Sequence, residues 1–284
     1  IPSLIFGSLS LFSLYLVCRL FLKKAWLALL PVAFFSWERL TQEQLIFMPL
    51  FETFALTFLN FSLYFFIKAQ DDRRYFLASS FFLGALWATR PWMATIPLIM
   101  AWATYLLLVQ RKLKQFWFWL ITTPLALAVL LLSYGKLFLD GWGLYKVLSV
   151  QKWILWYQSG QMAQPGSVWP LIYLNRWYVW WGDQPYLSMV QWNIFWPVFT
   201  SLALLFSVLV FLKIVGLAKA QLKNFKFDRR ITVVCLWVVF YLAFLSIGNI
   251  SSRYLFYLLS YCYLLGIYFL VSIIQWKKLL KFLF

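Results

Sequence analysis

Apolar runs of roughly 20 residues recur from one end of this chain to the other, and no other feature constrains its folding as tightly. A bilayer core about 30 Å thick is crossed by about 20 apolar residues of helix, and only helices and closed barrels satisfy their backbone polar groups there. About nine segments can be delimited, at 3–22, 25–37, 46–67, 75–89, 91–109, 116–134, 194–212, 231–247 and 254–274; the second and fourth are short. The first does not read as a signal peptide, because the same pattern continues to the end of the chain. The ten-residue polar/apolar alternation of membrane strands is absent. The expected fold is therefore an all-α, polytopic transmembrane helical bundle forming one integral membrane domain. Its first six spans fall in 1–134, one long loop in 135–193 and its last three spans in 194–284.

Composition excludes the soluble alternative. Of the 284 residues 64% are hydrophobic and 12% charged, and the mean hydropathy is +0.80. A soluble domain is about 45–50% apolar and about 25% charged, because it must cover its surface with polar groups.

The basic residues orient the bundle, since Lys and Arg are retained on the cytoplasmic side of short loops. Alternate threading of the nine spans gathers 18 of the 25 on one side: Arg19, Lys23, Lys24, Lys68, Arg73, Arg74, Arg111, Lys112, Lys114, Lys213, Lys219, Lys223, Lys226, Arg229, Arg230, Lys277, Lys278 and Lys281. The opposite side, with Arg39, Arg90, Lys136, Lys146, Lys152, Arg176 and Arg253, is then exoplasmic and carries the long loop. The net charge of +17 is scattered in short clusters at span ends. Anionic headgroups account for that distribution, and nucleic acid is not an expected partner. Cys18, Cys235 and Cys262 lie in apolar spans without CxxC spacing and histidine is absent. A zinc site and a disulfide framework are both unexpected, and no site for a divalent metal is visible.

Polar residues placed against an apolar background are where function is sought in such a chain. The exoplasmic carboxylates are Glu38, Glu43, Glu52, Asp140 and Asp183, and Glu52 alone sits within an apolar run, just after Met48-Pro49-Leu50-Phe51. It is either a helix-end acid facing headgroups or a buried group needing a partner. Arg90, in Ala88-Thr89-Arg90-Pro91-Trp92, and Arg253, opening the last span, mark outer span ends, while Arg176 lies in the loop. A planar guanidinium suits phosphate, so three converging would make an anionic-lipid site; singly, each is a snorkelling anchor. The loop is dense in Trp and Tyr, from Trp142 through Trp169 to Trp192. Interfacial belts enrich both residues, and aromatic faces also suit sugar rings and polyprenyl chains.

Five segments in order resemble the dolichyl-phosphate-mannose protein mannosyltransferases and their bacterial relatives, within the GT-C glycosyltransferases. Phe51-Glu52-Thr53-Phe54 resembles the family's L-D-x-F, and Gly84 through Trp92 its G-x-A-x-x-x-K-W, with Arg90-Pro91-Trp92 in place of K-W. Ser167-Val168-Trp169-Pro170-Leu171 followed by Arg176-Trp177-Tyr178 is similar to W-P-L and R-P-x-x-Y. Asn193-Ile194-Phe195-Trp196-Pro197 is similar to G-N-P-x-x-W, and Arg253-Tyr254-Leu255-Phe256-Tyr257 to R-x-x-F-x-Y. The departures are the missing loop histidines, Trp177 where the family has proline, and Asn193 alone from Gly-Asn-Pro.

The resemblance implies inverting transfer of a mannose-like sugar from a polyprenyl-phosphate donor to a protein or glycolipid acceptor on the exoplasmic face of a bacterial inner membrane. It implies substrate or phosphate contacts at Arg90, Arg176, Arg253, Trp92, Trp169, Asn193 and Tyr257. The family's catalytic carboxylates sit in a loop after its first span. Because the chain opens on Ile1 at what resembles the second span, the base is expected upstream, and Glu52 is a weak stand-in. Two other classes stay open: a transporter or flippase for a lipid-linked substrate, which would usually show paired repeats that this sequence lacks, and a noncatalytic membrane scaffold.

Overall fold

The structure is a computed structural model that describes residues 2–47, 51–89, 94–159, 164–179, 184–217, 226–247 and 252–281. Within them the chain is helical almost throughout: α1 (Pro2–Phe21), α2 (Ala25–Trp37), α3 (Arg39–Gln42), α4 (Phe51–Lys68), α5 (Tyr75–Thr89), α6 (Thr95–Thr104), α7 (Leu113–Ser133), α8 (Gly135–Leu139), α9 (Leu144–Ser159), α10 (Val168–Leu174), α11 (Phe195–Val215), α12 (Thr232–Ile247) and α13 (Leu255–Lys281). A single two-residue hairpin, β1 (Trp177–Tyr178) with β2 (Tyr186–Leu187), pairs Trp177 with Leu187 and Tyr178 with Tyr186. Among the described residues four helical stretches are long and apolar enough to cross a membrane: Leu113–Ser133, Phe195–Val215, Arg229–Ile247 and Leu255–Ile274. Shorter apolar helices occupy Ile5–Phe21, Ala25–Trp37, Tyr75–Thr89 and Thr95–Val109.

The bundle is a chain of neighbours in which α2 and α4 flank α1, α5 joins α4 to α7, and α13 packs on α2, α11 and α12. Where the helix surroundings are apolar, burying hydrocarbon discriminates little between pairings, and small residues and polar side chains select them. Gly84 lets α5 lie directly on α7: a Cβ there would stand 2.4 Å from the Ala126 carbonyl oxygen and 2.8 Å from Val129 Cβ. Serine pairs do the polar part. Ser62 and Ser79 each donate to the other's carbonyl at 3.0 Å across α4 and α5, and the Ser80 and Thr122 hydroxyls meet at 2.9 Å across α5 and α7. At the centre, Asn60 Nδ2 donates to the Ser10 carbonyl (3.2 Å) and Ser13 Oγ (3.0 Å) of α1, while its Oδ1 accepts from the Tyr261 hydroxyl of α13 at 2.6 Å.

Charged residues gather in two groups, one at each end. At one, Arg230 pairs with Asp228 (2.8 Å) and with Asp71 of the α4–α5 turn (3.2 Å), and the Asp228 backbone N–H donates to Tyr268 Oη at 3.0 Å. Glu38, Glu43, Glu52, Asn193 and Arg253 gather at the opposite end, where Phe35 and Phe256 meet with ring centroids 5.1 Å apart.

The 135–193 segment is more built than a loop. Its first half, α8 and α9, leaves Leu139, Tyr145, Trp153 and Trp156 exposed, with Lys146 Nζ 4.1 Å from the Trp142 ring. The second half is tied to the bundle, where the Gly166 N–H donates to the Ser246 carbonyl (2.7 Å) and the Tyr173 and Ser201 hydroxyls meet at 3.0 Å, and it is braced within itself by Trp192 Nε1 donating to the Ile172 carbonyl (2.8 Å).

Candidate functional site

Glu38 ends the apolar helix α2, so the chain carries a carboxylate to where α2 meets α11 and α13. The residue is 3% exposed. Its Oε2 accepts from the Asn193 amide and from Trp196 Nε1 (3.1 Å), and its Oε1 from the Tyr263 hydroxyl. Each donor is fixed in turn. Asn193 Oδ1 accepts the Phe195 N–H at 2.8 Å in a turn leading into α11, so the same side chain braces the helix entry and holds the acid. Tyr263 is held between Phe199 (4.7 Å) and Phe34 (5.9 Å). Burial pushes the Glu38 carboxyl above the ordinary carboxylate range, and the Trp196 and Asn193 donors oppose that by favouring the anion.

Beside this acid lies an open pocket of about 520 Å³ lined by Ala33, Phe34, Trp37, Glu38, Asn193 and Phe195. Its wall is aromatic and aliphatic, and its polar groups are the Glu38 and Asn193 side chains. The neighbouring acid Glu43 is engaged elsewhere, 3.7 Å from Arg39 and accepting from Gln191 Nε2 at 2.8 Å.

The expected residues fall unequally. Glu52 is fully buried and Arg253, at the start of α13, meets it with Nε 3.7 Å from Oε1, so two separately chosen residues share one ion pair. Arg253 is 40% exposed, and its guanidinium also lies 5.5 Å from the Tyr254 ring. Tyr257, one turn further along α13, is buried, its ring edge-on to Tyr241 with centroids 6.3 Å apart. Asn193 belongs to the Glu38 cluster. Trp169 is partly exposed and stacks on Tyr173 at 6.2 Å. Arg176 follows the left-handed Asn175 that ends α10; it is exposed and forms no ion pair among the described residues. The structure does not bring it to the Glu52–Arg253 pair. Arg90 and Trp92 lie outside the described residues, as does Asp183. No group of three or more His, Cys, Asp or Glu among the described residues is arranged to hold a metal ion.

Glu38 is the residue that sequence reasoning passed over, because it stands at the edge of an apolar run and beside Arg39. The usable signal was that no Lys or Arg occupies the positions three or four away, at Phe34, Phe35, Thr41 and Gln42, so no local helical pair could neutralise it. No family model, curated protein or solved structure matches this chain.

Proposed function

We propose that the chain is a nine-span membrane glycosyltransferase of the GT-C type, moving a mannose-like sugar from a polyprenyl-phosphate donor to a protein or glycolipid acceptor at its exoplasmic face. The observation that carries the reading is the Glu52–Arg253 pair at the sparsely basic end of the bundle. Transfer from a lipid phosphate requires a fixed cation on the leaving phosphate and a carboxylate to take the acceptor proton. Arg253 is the cation in this reading. Glu52, at zero exposure, lies 3.7 Å from Arg253 Nε, and the 40% exposure of the Arg253 side chain leaves its guanidinium open to a phosphate at the helix start. Tyr257 lies on the same helix one turn deeper, and Trp169 with Tyr173 offers a stacked aromatic face for a sugar ring or prenyl chain. Glu38, whose two oxygens already receive three hydrogen bonds from fixed donors, is left to binding.

The test is transfer by purified protein, including any residues encoded upstream, offered a polyprenyl-phosphate sugar and a nucleotide sugar in separate reactions. Transfer from the lipid-linked donor alone is expected, because no Gly-rich phosphate loop stands in the sequence. Transfer from the nucleotide sugar alone would remove the reading.

A further inference from the structure

We infer that the pocket between α2 and the start of α11 binds an organic ammonium group carried on an apolar stem, with Glu38 as counter-ion and Phe34, Trp37 and Phe195 as its walls. This inference does not depend on the transfer reading. It rests first on charge. Of the described acids at this end that are not solvent-exposed like Asp140, Glu43 has Arg39 and Glu52 has Arg253, whereas the three groups on Glu38 are neutral donors from Asn193, Trp196 and Tyr263. Arg39, though adjacent in sequence, is 62% exposed and directed to Glu43. A carboxylate that is 3% exposed keeps a strong preference for a cation, which the amide, indole and phenol only partly satisfy.

Wall chemistry selects the kind of cation. Aromatic faces carry a negative quadrupole that attracts ammonium groups and costs a metal ion its hydration without replacing it, and the pocket offers one carboxylate where a hard cation needs several oxygens. A volume of about 520 Å³ admits a headgroup with several carbons of stem. Trp37 and Phe195, at 83% and 43% exposure, form its open side, so the stem leaves across apolar surface. The same chemistry arises from an aminophospholipid headgroup or from a free alkylamine.

Equilibrium binding of radiolabelled octylamine to the purified chain in an uncharged maltoside detergent, corrected against micelles alone, decides the matter. Octylamine is expected to bind at least tenfold more tightly than octanol competes, and Glu38→Gln to abolish the preference, because it removes the charge and keeps the shape. Trp37→Leu, at an exposed position that leaves the fold intact, is expected to weaken octylamine about two- to fivefold. Equal competition by octanol, or a preference that survives Glu38→Gln, would overturn the proposal. If the Gln variant does not fold, an unchanged Trp37→Leu affinity overturns it instead. Displacement of the probe by dihexanoyl-phosphatidylethanolamine but not by dihexanoyl-phosphatidylglycerol identifies a lipid headgroup as the source, and displacement by free alkylamines alone identifies a soluble amine. Equal displacement by the two lipids contradicts recognition of the ammonium. Because no sugar donor enters the assay, its failure leaves the transfer reading untouched.

Discussion

Replacing Gly84 with alanine probes the close approach of α5 to α7. The added Cβ would sit 2.4 Å from the Ala126 carbonyl oxygen, 2.8 Å from Ala126 Cα and 2.8 Å from Val129 Cβ, against ordinary separations of 3.4–4 Å. Two of the three obstructing atoms are backbone, so no rotamer change relieves them and α5 must move away from α7 by about an ångström. Overpacking of that kind costs about 1–3 kcal/mol, and the rigid obstruction places this site at the upper end. Alanine recovers at most about 1 kcal/mol through its better helix propensity, which leaves a net loss of about 1–2 kcal/mol. Gly266→Ala is the internal control, because its first obstruction is a side chain, Phe199 Cδ1 at 2.7 Å, which can turn. At about 2–4 °C per kcal/mol for chains of this size class, Gly84→Ala should lower the Tm in maltoside detergent by about 2–8 °C, and Gly266→Ala by less. A Gly84→Ala protein as stable as the wild type, or a reversed order of the two variants, would refute the α5–α7 packing.

Asn60→Leu should cost more than Tyr261→Phe in the same assay, because it removes three interhelical hydrogen bonds instead of one at about 0.6 kcal/mol each. Arg253→Ala should lower sugar transfer per folded molecule about ten- to a hundredfold, the loss of one charge-assisted contact, with partial recovery in Arg253→Lys; unchanged rates would reduce Arg253 to an interfacial anchor. Burial raises the Glu38 carboxyl, so its protonated-acid infrared band, identified by its absence from Glu38→Gln, should persist above the ordinary carboxylate value of about 4.3. The folded state then binds this proton more tightly than the unfolded one. Its contribution to stability is complete below about 4.3 and is lost as pH rises through the raised folded value. A band that vanishes at or below that ordinary value contradicts the account.

The helical class was legible because hydropathy registers the requirement that backbone polar groups be satisfied within each apolar run, and that requirement does not depend on tertiary detail. The pairing of charged residues at the two ends was legible for a related reason: with helix direction alternating, Asp71 and Arg230 fall on one side and Glu52 and Arg253 on the other, and both pairs form. What the pattern did not carry was lateral contact. Nothing in the spacing of Glu38, Asn193, Trp196 and Tyr263 says that α2, α11 and α13 converge on one carboxyl, because the order of helices around a bundle is set by close approaches such as Gly84 and by single hydrogen bonds. The inner structure of 135–193 was hidden for another reason. Its Trp and Tyr content fits an interfacial belt whether or not α8, α9 and α10 form, and two of the hydrogen bonds that fix its second half are accepted by backbone carbonyls, which leave no trace in the side-chain pattern.

The functional account turns on which side of the membrane the Glu38 and Arg253 end faces, and thiol labelling in intact cells measures it directly. The native background is low, since Cys18, Cys235 and Cys262 are buried. Tyr145→Cys marks the exposed α9, and Lys114→Cys the exposed start of α7 at the opposite end. A membrane-impermeant maleimide is expected to modify Tyr145→Cys in intact cells and Lys114→Cys only after permeabilisation, which places the acids and Arg253 outside the cytoplasm with the lipid-linked donor. Modification of Lys114→Cys in intact cells with Tyr145→Cys protected would invert the bundle and contradict exoplasmic transfer.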